Sequence, residues 1–173
     1  MPDSLPSPWP PGVRRQLSLF VPEASAARLE ALRLRLDPVQ HALIPAHVTL
    51  CREDELAALA DPAWRERWAG ASALSLTFGA PVAFDGHGVL LPVTHGAAAF
   101  AALRKLVLGR EPERALQPHL TLAHPRNPRA AGNTADALTS LPAGLEIRFD
   151  AVRLIEQRDA GPWQVLERHG LQT

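Results

Sequence analysis

One cysteine, one lysine and no surplus of either charge set the first limits on this sequence. Cys51 stands alone, so no intrachain disulfide forms and an oxidising compartment is not indicated. The same scarcity excludes a cysteine–histidine cluster for structural zinc. Lys105 is the only lysine, and the remaining basic charge is arginine, whose planar fork suits phosphate. Formal net charge is zero, which excludes a global electrostatic pull toward nucleic acid or an anionic membrane. A nucleic-acid partner is therefore expected to be a small fragment or a strand end, held locally. No run of about 18 apolar residues occurs, so no transmembrane helix is expected. The first fifteen residues hold five prolines and no apolar stretch, unlike a secretory signal, and the cytoplasm is the expected location. With 173 residues, 46% apolar and 21% charged, the composition is that of a soluble globular protein, one domain or two small lobes sharing a core.

Against this plain background two stretches repeat: His47-Val48-Thr49-Leu50 and His119-Leu120-Thr121-Leu122. Both read His, apolar, Thr, apolar, and a proline precedes each closely (Pro45 and Pro118). Alternation is the period of a half-buried strand, so Val48 and Leu50 face a core while His47 and Thr49 share the other face. His119 and Thr121 do the same in the second copy. From the content of His, Thr and apolar residues, two such tetrads are expected by chance at the order of 0.002. A lone histidine on a strand is ordinarily structural, and threonine suits strands for its β-branching alone. The duplication is what turns these four residues into an acid–base candidate site.

Residues 1–15 read as a flexible proline-rich tail, and residues 16–173 as the domain. Gln16–Val21 alternates like a strand, and Pro22–Leu36 carries a helical stripe of Leu29, Leu32 and Leu36 that Asp37-Pro38 ends. The first motif strand, 46–51, follows. Glu53-Asp54-Glu55 open a helical stretch whose continuation places Trp64 and Trp68 on one face as packing residues. Ala73–Phe84 and Val89–Val93 flank the turn signal Asp85-Gly86-His87-Gly88. Gly96–Leu108 reads as a helix burying Phe100, Leu103, Leu106 and Val107, with Gly109 as its stop. The second motif strand, 119–123, precedes a short helix expected over 130–141. Two strands, Leu145–Glu156 and Trp163–Arg168, turn around Asp159-Ala160-Gly161-Pro162. This order predicts an α+β fold, bilobal and pseudo-duplicated, with mainly antiparallel sheets and flanking helices around a central cleft.

Paired His-x-Thr-x tetrads, here 72 positions apart, resemble those of the 2H phosphoesterase superfamily. The likeness is greatest to the 2′-5′ RNA ligase-like group, also called RNA 2′,3′-cyclic phosphodiesterases, and would span residues 16–169. The resemblance implies a cleft lined by the tetrads, with His47, Thr49, His119 and Thr121 as the site and neither metal nor cofactor required. It also implies hydrolysis of a 2′,3′-cyclic phosphate to a 2′-phosphate, or the reverse geometry that forms a 2′-5′ linkage. Two histidines titrating near neutrality suit this chemistry, one taking the water proton and the other protonating the departing ribose oxygen. Two hydroxyls suit the non-bridging phosphate oxygens. Which histidine is base and which acid is open at this level.

The sequence departs from the group at one point. Typically alanine and then arginine follow the second tetrad; here Ala123 is followed by His124, while Arg52 stands at the matching place after the first. Arg52, His124 and Arg126 are the phosphate-binding candidates. Cys51 as a nucleophile beside His47 is disfavoured, since its counterpart Ala123 has no thiol. Metal ligation by the two histidines lacks a supporting carboxylate cluster. The expected partner is a nucleotide or RNA end carrying a cyclic phosphate or a 2′-5′ linkage, with small nucleotides competing with RNA. No membrane partner is expected, and a monomer is. The alternative function is a non-catalytic nucleotide- or RNA-end-binding module using the same cleft; retention of both tetrads favours the enzyme.

Overall fold

The computed structural model describes residues 9–57, 62–85, 87–125 and 144–173. The first strand, β1 (Val13–Phe20), starts three residues before the expected boundary. Its early start is held by Trp9, which packs against the core and carries the Arg15 guanidinium 4.5 Å from its ring centroid. Helix α1 (Glu23–Leu36) buries the expected Leu29, Leu32 and Leu36, and Arg33 beside them. Asp37 ends it but also caps a new short helix, α2 (Pro38–Leu43), by accepting the Gln40 N–H at 3.0 Å.

β2 (His47–Cys51) leads to α3 (Glu53–Ala57), whose Glu55 accepts the backbone N–H of Arg52 at 2.9 Å. The helical stretch, expected to be divided at Asp61-Pro62, continues under the tryptophans as one 3₁₀ turn, Pro62–Arg65. Trp64 and Trp68 are nevertheless buried, their ring centroids 5.6 Å apart, and pack on His169. The expected strand over 73–84 is two strands, β3 (Leu74–Phe78) and β4 (Val82–Phe84), interrupted at Gly79-Ala80-Pro81.

β5 (Gly88–His95) then runs back, and α4 (Ala97–Leu108) begins at Gly96, whose φ of +93° is the left-handed region. A Cβ at Gly96 would collide with the Ser75 carbonyl oxygen, so glycine is required twice over. α4 buries Phe100, Leu103, Arg104 and Val107. Leu106, expected inside, is 42% exposed, because the buried stripe is centred on Phe100, Arg104 and Val107. β6 (His119–Ala123) matches its expected bounds. The helix expected over 130–141 lies outside the described residues.

The last expected pair is three strands: β7 (Leu145–Phe149), β8 (Ala151–Arg158) and β9 (Gln164–Gly170). The break at Asp150 is a change of sheet, since β7 pairs with β3 and β8 with β1. One sheet has the order β2-β1-β8-β9. In the other, β5 pairs with β3 and β4 and, on its opposite edge, with β6, while β7 lies beyond β3. All these ladders are antiparallel. A single core joins the sheets, holding Leu17, Leu19, Val48 and Leu50 of one with Leu91, Leu120 and Leu122 of the other. Both motif strands are edge strands, and they pack against each other.

Candidate active site

The two motif strands are built alike down to their irregularities. In β2 the partners are Phe20↔His47, Ser18↔Thr49 and Leu17↔Cys51, which leaves Leu50 as an extra residue. In β6 they are Pro92↔His119, Leu90↔Thr121 and Val89↔Ala123, which leaves Leu122 as the extra residue. Each strand therefore carries a β-bulge at the fourth position of its tetrad. Burial repeats as well: His and Thr are half-buried, and the apolar residues and the residue after the bulge are inside. The bulge turns Cys51 and Ala123 into the core, so strand alternation does not carry Cys51 onto the His47 face.

Each imidazole is oriented by the same bond. His47 Nδ1 lies 2.8 Å from the Pro45 carbonyl oxygen, and His119 Nδ1 lies 2.9 Å from that of Gln117. A carbonyl only accepts, so Nδ1 carries the hydrogen in both rings and Nε2 is left as the working nitrogen. A phenyl ring flanks each one. Phe20 is 6.0 Å from the His47 ring, and Phe84 is 5.9 Å from the His119 ring. Among the described residues, no hydrogen bond engages the hydroxyl of Thr49 or Thr121, so both remain available to a ligand.

The symmetry stops at the supports. The residues before His47 are clamped by α1. Arg33 Nη2 donates to the Ile44 carbonyl at 2.8 Å, Glu30 accepts the Ala46 N–H at 2.5 Å, and Arg33 and Glu30 pair at 2.8 Å. The residues before His119 rest instead on sheet hydrogen bonding, with the Val93 N–H donating to the Pro118 carbonyl at 3.2 Å. The surroundings of His47 are hostile to a proton. Burial lowers the His47 pKa from 6.5 to about 4; the Pro45 carbonyl opposes that shift, and the charges of Arg33 and His119 add to it. The two histidines are thus close enough for charge on one to disfavour charge on the other.

The phosphate-binding candidates fare differently. Arg52 is exposed just before α3, and no hydrogen bond or ion pair brings its side chain to either imidazole. His124 is half-buried, and its backbone N–H donates to Asp37 Oδ2 at 2.8 Å, tying the end of β6 to the α1–α2 corner. Arg126 lies outside the described residues. Cys51 is fully buried; desolvation and then Glu55 push its thiol pKa to about 12, which disqualifies it as a nucleophile. Among the described residues no group of three or more His, Cys, Asp or Glu could hold a metal.

Register reveals what sequence reasoning missed. Thr49, Ser18, Arg153 and Arg168 are direct partners across β2, β1, β8 and β9, so all four side chains share the sheet face that carries Thr49. The signal was present as one charge inside an apolar run, Ala151-Val152-Arg153-Leu154-Ile155.

Comparison with known proteins agrees with this architecture. Residues 21–161 match the family model of the 2′-5′ RNA ligase superfamily. Comparison with curated protein sequences gives no match. Among solved structures, E. coli LigT complexed with ATP superposes with a TM-score of 0.59 at 17% identity, over 92% of this chain and 98% of that one. LigT complexed with 3′-AMP gives 0.60 at 16% identity, over 94% and 99%. A crystal structure of a phosphoesterase gives 0.53 at 14% identity, over 92% and 98%. With the family match spanning most of the chain and the LigT-like fold around it, this protein belongs to the 2′-5′ RNA ligase superfamily of 2H phosphoesterases.

Proposed function

We propose that the protein is a phosphodiesterase that opens a 2′,3′-cyclic phosphate, or cleaves a 2′-5′ phosphodiester, at an RNA end or on a nucleotide. One observation carries this reading: two imidazoles on facing edge strands, each with Nδ1–H spent on a carbonyl and Nε2 free. His47, disfavoured as a cation, is the base, and its Nε2 removes a proton from water as the oxygen attacks phosphorus. His119, entering protonated, gives its Nε2 proton to the 3′ oxygen as the P–O3′ bond breaks. A 2′-phosphate and a free 3′-hydroxyl result, and solvent exchange returns both rings to their starting states. Thr49 and Thr121 donate hydrogen bonds to the non-bridging oxygens, where negative charge accumulates. The proton balance closes on the two histidines, so no metal is needed for the step. A nucleotide ligand is supported by the relative LigT, crystallised with ATP and with 3′-AMP. With the 5′-hydroxyl of a second strand in place of water, the same groups form the 2′-5′ linkage as the P–O3′ bond breaks.

The test is incubation with the four nucleoside 2′,3′-cyclic monophosphates in EDTA, with products separated by chromatography. Turnover to 2′-phosphates is expected, with kcat falling about 10²–10⁴-fold in His47→Ala and in His119→Ala. Nucleotide binding without turnover by the intact chain would replace this reading with that of a non-catalytic receptor.

A further inference from the structure

Arg153 shares the sheet face of Thr49, and the acid–base chemistry leaves it unused. It lies two strands from Thr49 in the row Thr49–Ser18–Arg153–Arg168, on the order of 10 Å away at the backbone given the strand spacing. Its side chain leans back along the diagonal, with the guanidinium carbon 5.0 Å from the centroid of Phe20. Phe20 in turn faces His47. One phenyl ring therefore separates the arginine from the base. That keeps the guanidinium off the reacting phosphorus while holding it on the same sheet face.

The charge is also poorly compensated. Arg153 is half-buried between its apolar chain neighbours Val152 and Leu154, and no described carboxylate lies within ion-pair distance of it. The nearby acid, Asp150, pairs with Arg168 at 3.6 Å and reaches Arg153 only through the longer-range field. Burial and Arg168 both work against the Arg153 cation. The hydroxyl beside it, Ser18 Oγ, is fully buried and accepts from Gln16 Nε2 at 3.0 Å, and no hydrogen bond joins it to Arg153. A partly desolvated guanidinium with no counter-ion among the described residues, resting on an aromatic face, offers a preorganised fork to an anion.

We propose that Arg153, backed by Arg168, forms a second anion subsite that binds a substrate phosphate other than the one between the histidines. The inference rests on the proposed function and narrows its substrate class. The preferred substrate carries at least two phosphates, as an oligoribonucleotide end or a cyclic phosphate nucleotide with a 5′-phosphate does. Because net charge is zero, this preference is supplied locally and not by a field over the whole molecule.

The experiment compares adenosine 2′,3′-cyclic monophosphate with its 5′-phosphorylated form, using the intact chain and the variants Arg153→Gln, Arg153→Lys and Arg168→Gln. The intact chain is expected to favour the 5′-phosphorylated substrate by about tenfold or more in kcat/KM, chiefly through KM. Arg153→Gln should bring that ratio near one, Arg153→Lys restore part of it, and Arg168→Gln reduce it less. Thermal unfolding of each variant establishes that it is folded. An unchanged ratio in folded Arg153→Gln overturns the subsite. Turnover of neither substrate overturns the proposed function instead, and the subsite is then read by calorimetry with ADP and adenosine. A preference for ADP that Arg153→Gln abolishes sustains it, and equal affinities in both proteins reject it.

Discussion

Among single residues, His47 works against its surroundings. Desolvation dominates its titration, and Arg33 and His119 add repulsion to any proton on the ring. In activity, this predicts that kcat/KM falls on the acid side with a midpoint well below 6.5, toward about 4, as a pH profile between 3.5 and 8 would record. An acid limb near 6.5 would mean that the ring is solvated and the base assignment wrong. Stability follows the same sign. Between about 4 and 6.5 the unfolded chain takes up a proton that folded His47 refuses, so this residue's contribution declines as pH falls through that window and levels off below it. Urea midpoints at pH 7 and pH 5 should therefore differ more in the intact chain than in His47→Ala. The histidines and threonines were legible in the sequence because a tetrad with strand period is a local pattern. Arg153 was not, because its place on the same face as Thr49 depends on β1 lying between β2 and β8.

Among elements, α1 supports the candidate site from behind. Glu30 and Arg33 hold the peptide groups of Ile44 and Ala46 on either side of Pro45, whose carbonyl aims the His47 ring. Glu30→Ala is expected to lower kcat by roughly 10–100-fold through misplacement of that ring, with KM changing far less. A kinetic comparison with His47→Ala tests this, since the two losses should not add. Asp37 is the second link, receiving the N–H groups of Gln40 and of His124 from the other lobe. Asp37→Ala strands both donors and should cost about 1–3 kcal/mol for each that stays dry, measured by urea denaturation. Neither link is visible in a sequence reading. Glu30 looks like an ordinary solvated helix charge, and Asp37-Pro38 like a simple helix stop. Their distant partners, the Ala46 N–H for Glu30 and the His124 N–H for Asp37, come only with the fold.

At the scale of the whole molecule, the two sheets share one core and the chain crosses between them at Asp150. Neither lobe has a separate interior, so they should unfold together. Cys51 reports on this directly, being fully buried between β1 and the α4 side of the core with its thiol pKa pushed to about 12. A thiol reagent should label it only as fast as the core opens, with the rate following global stability across urea concentrations. Fast labelling in native buffer would mean that the β2 edge opens by itself.

The sequence by itself determined the local terms: strand period in the tetrads, the stripe of α1, the Gly109 stop of α4 and the hydrogen-bonding capacity of each candidate residue. These follow from the chemistry of residues a few places apart, which any fold must respect. The tertiary structure alone decided which edges face each other and where Leu145–Glu156 changes sheet. It also decided that Arg153 shares a sheet face with Thr49. Those outcomes depend on strand pairing across more than a hundred residues and on the desolvation that pairing imposes, and alternation is blind to the identity of a strand's partner.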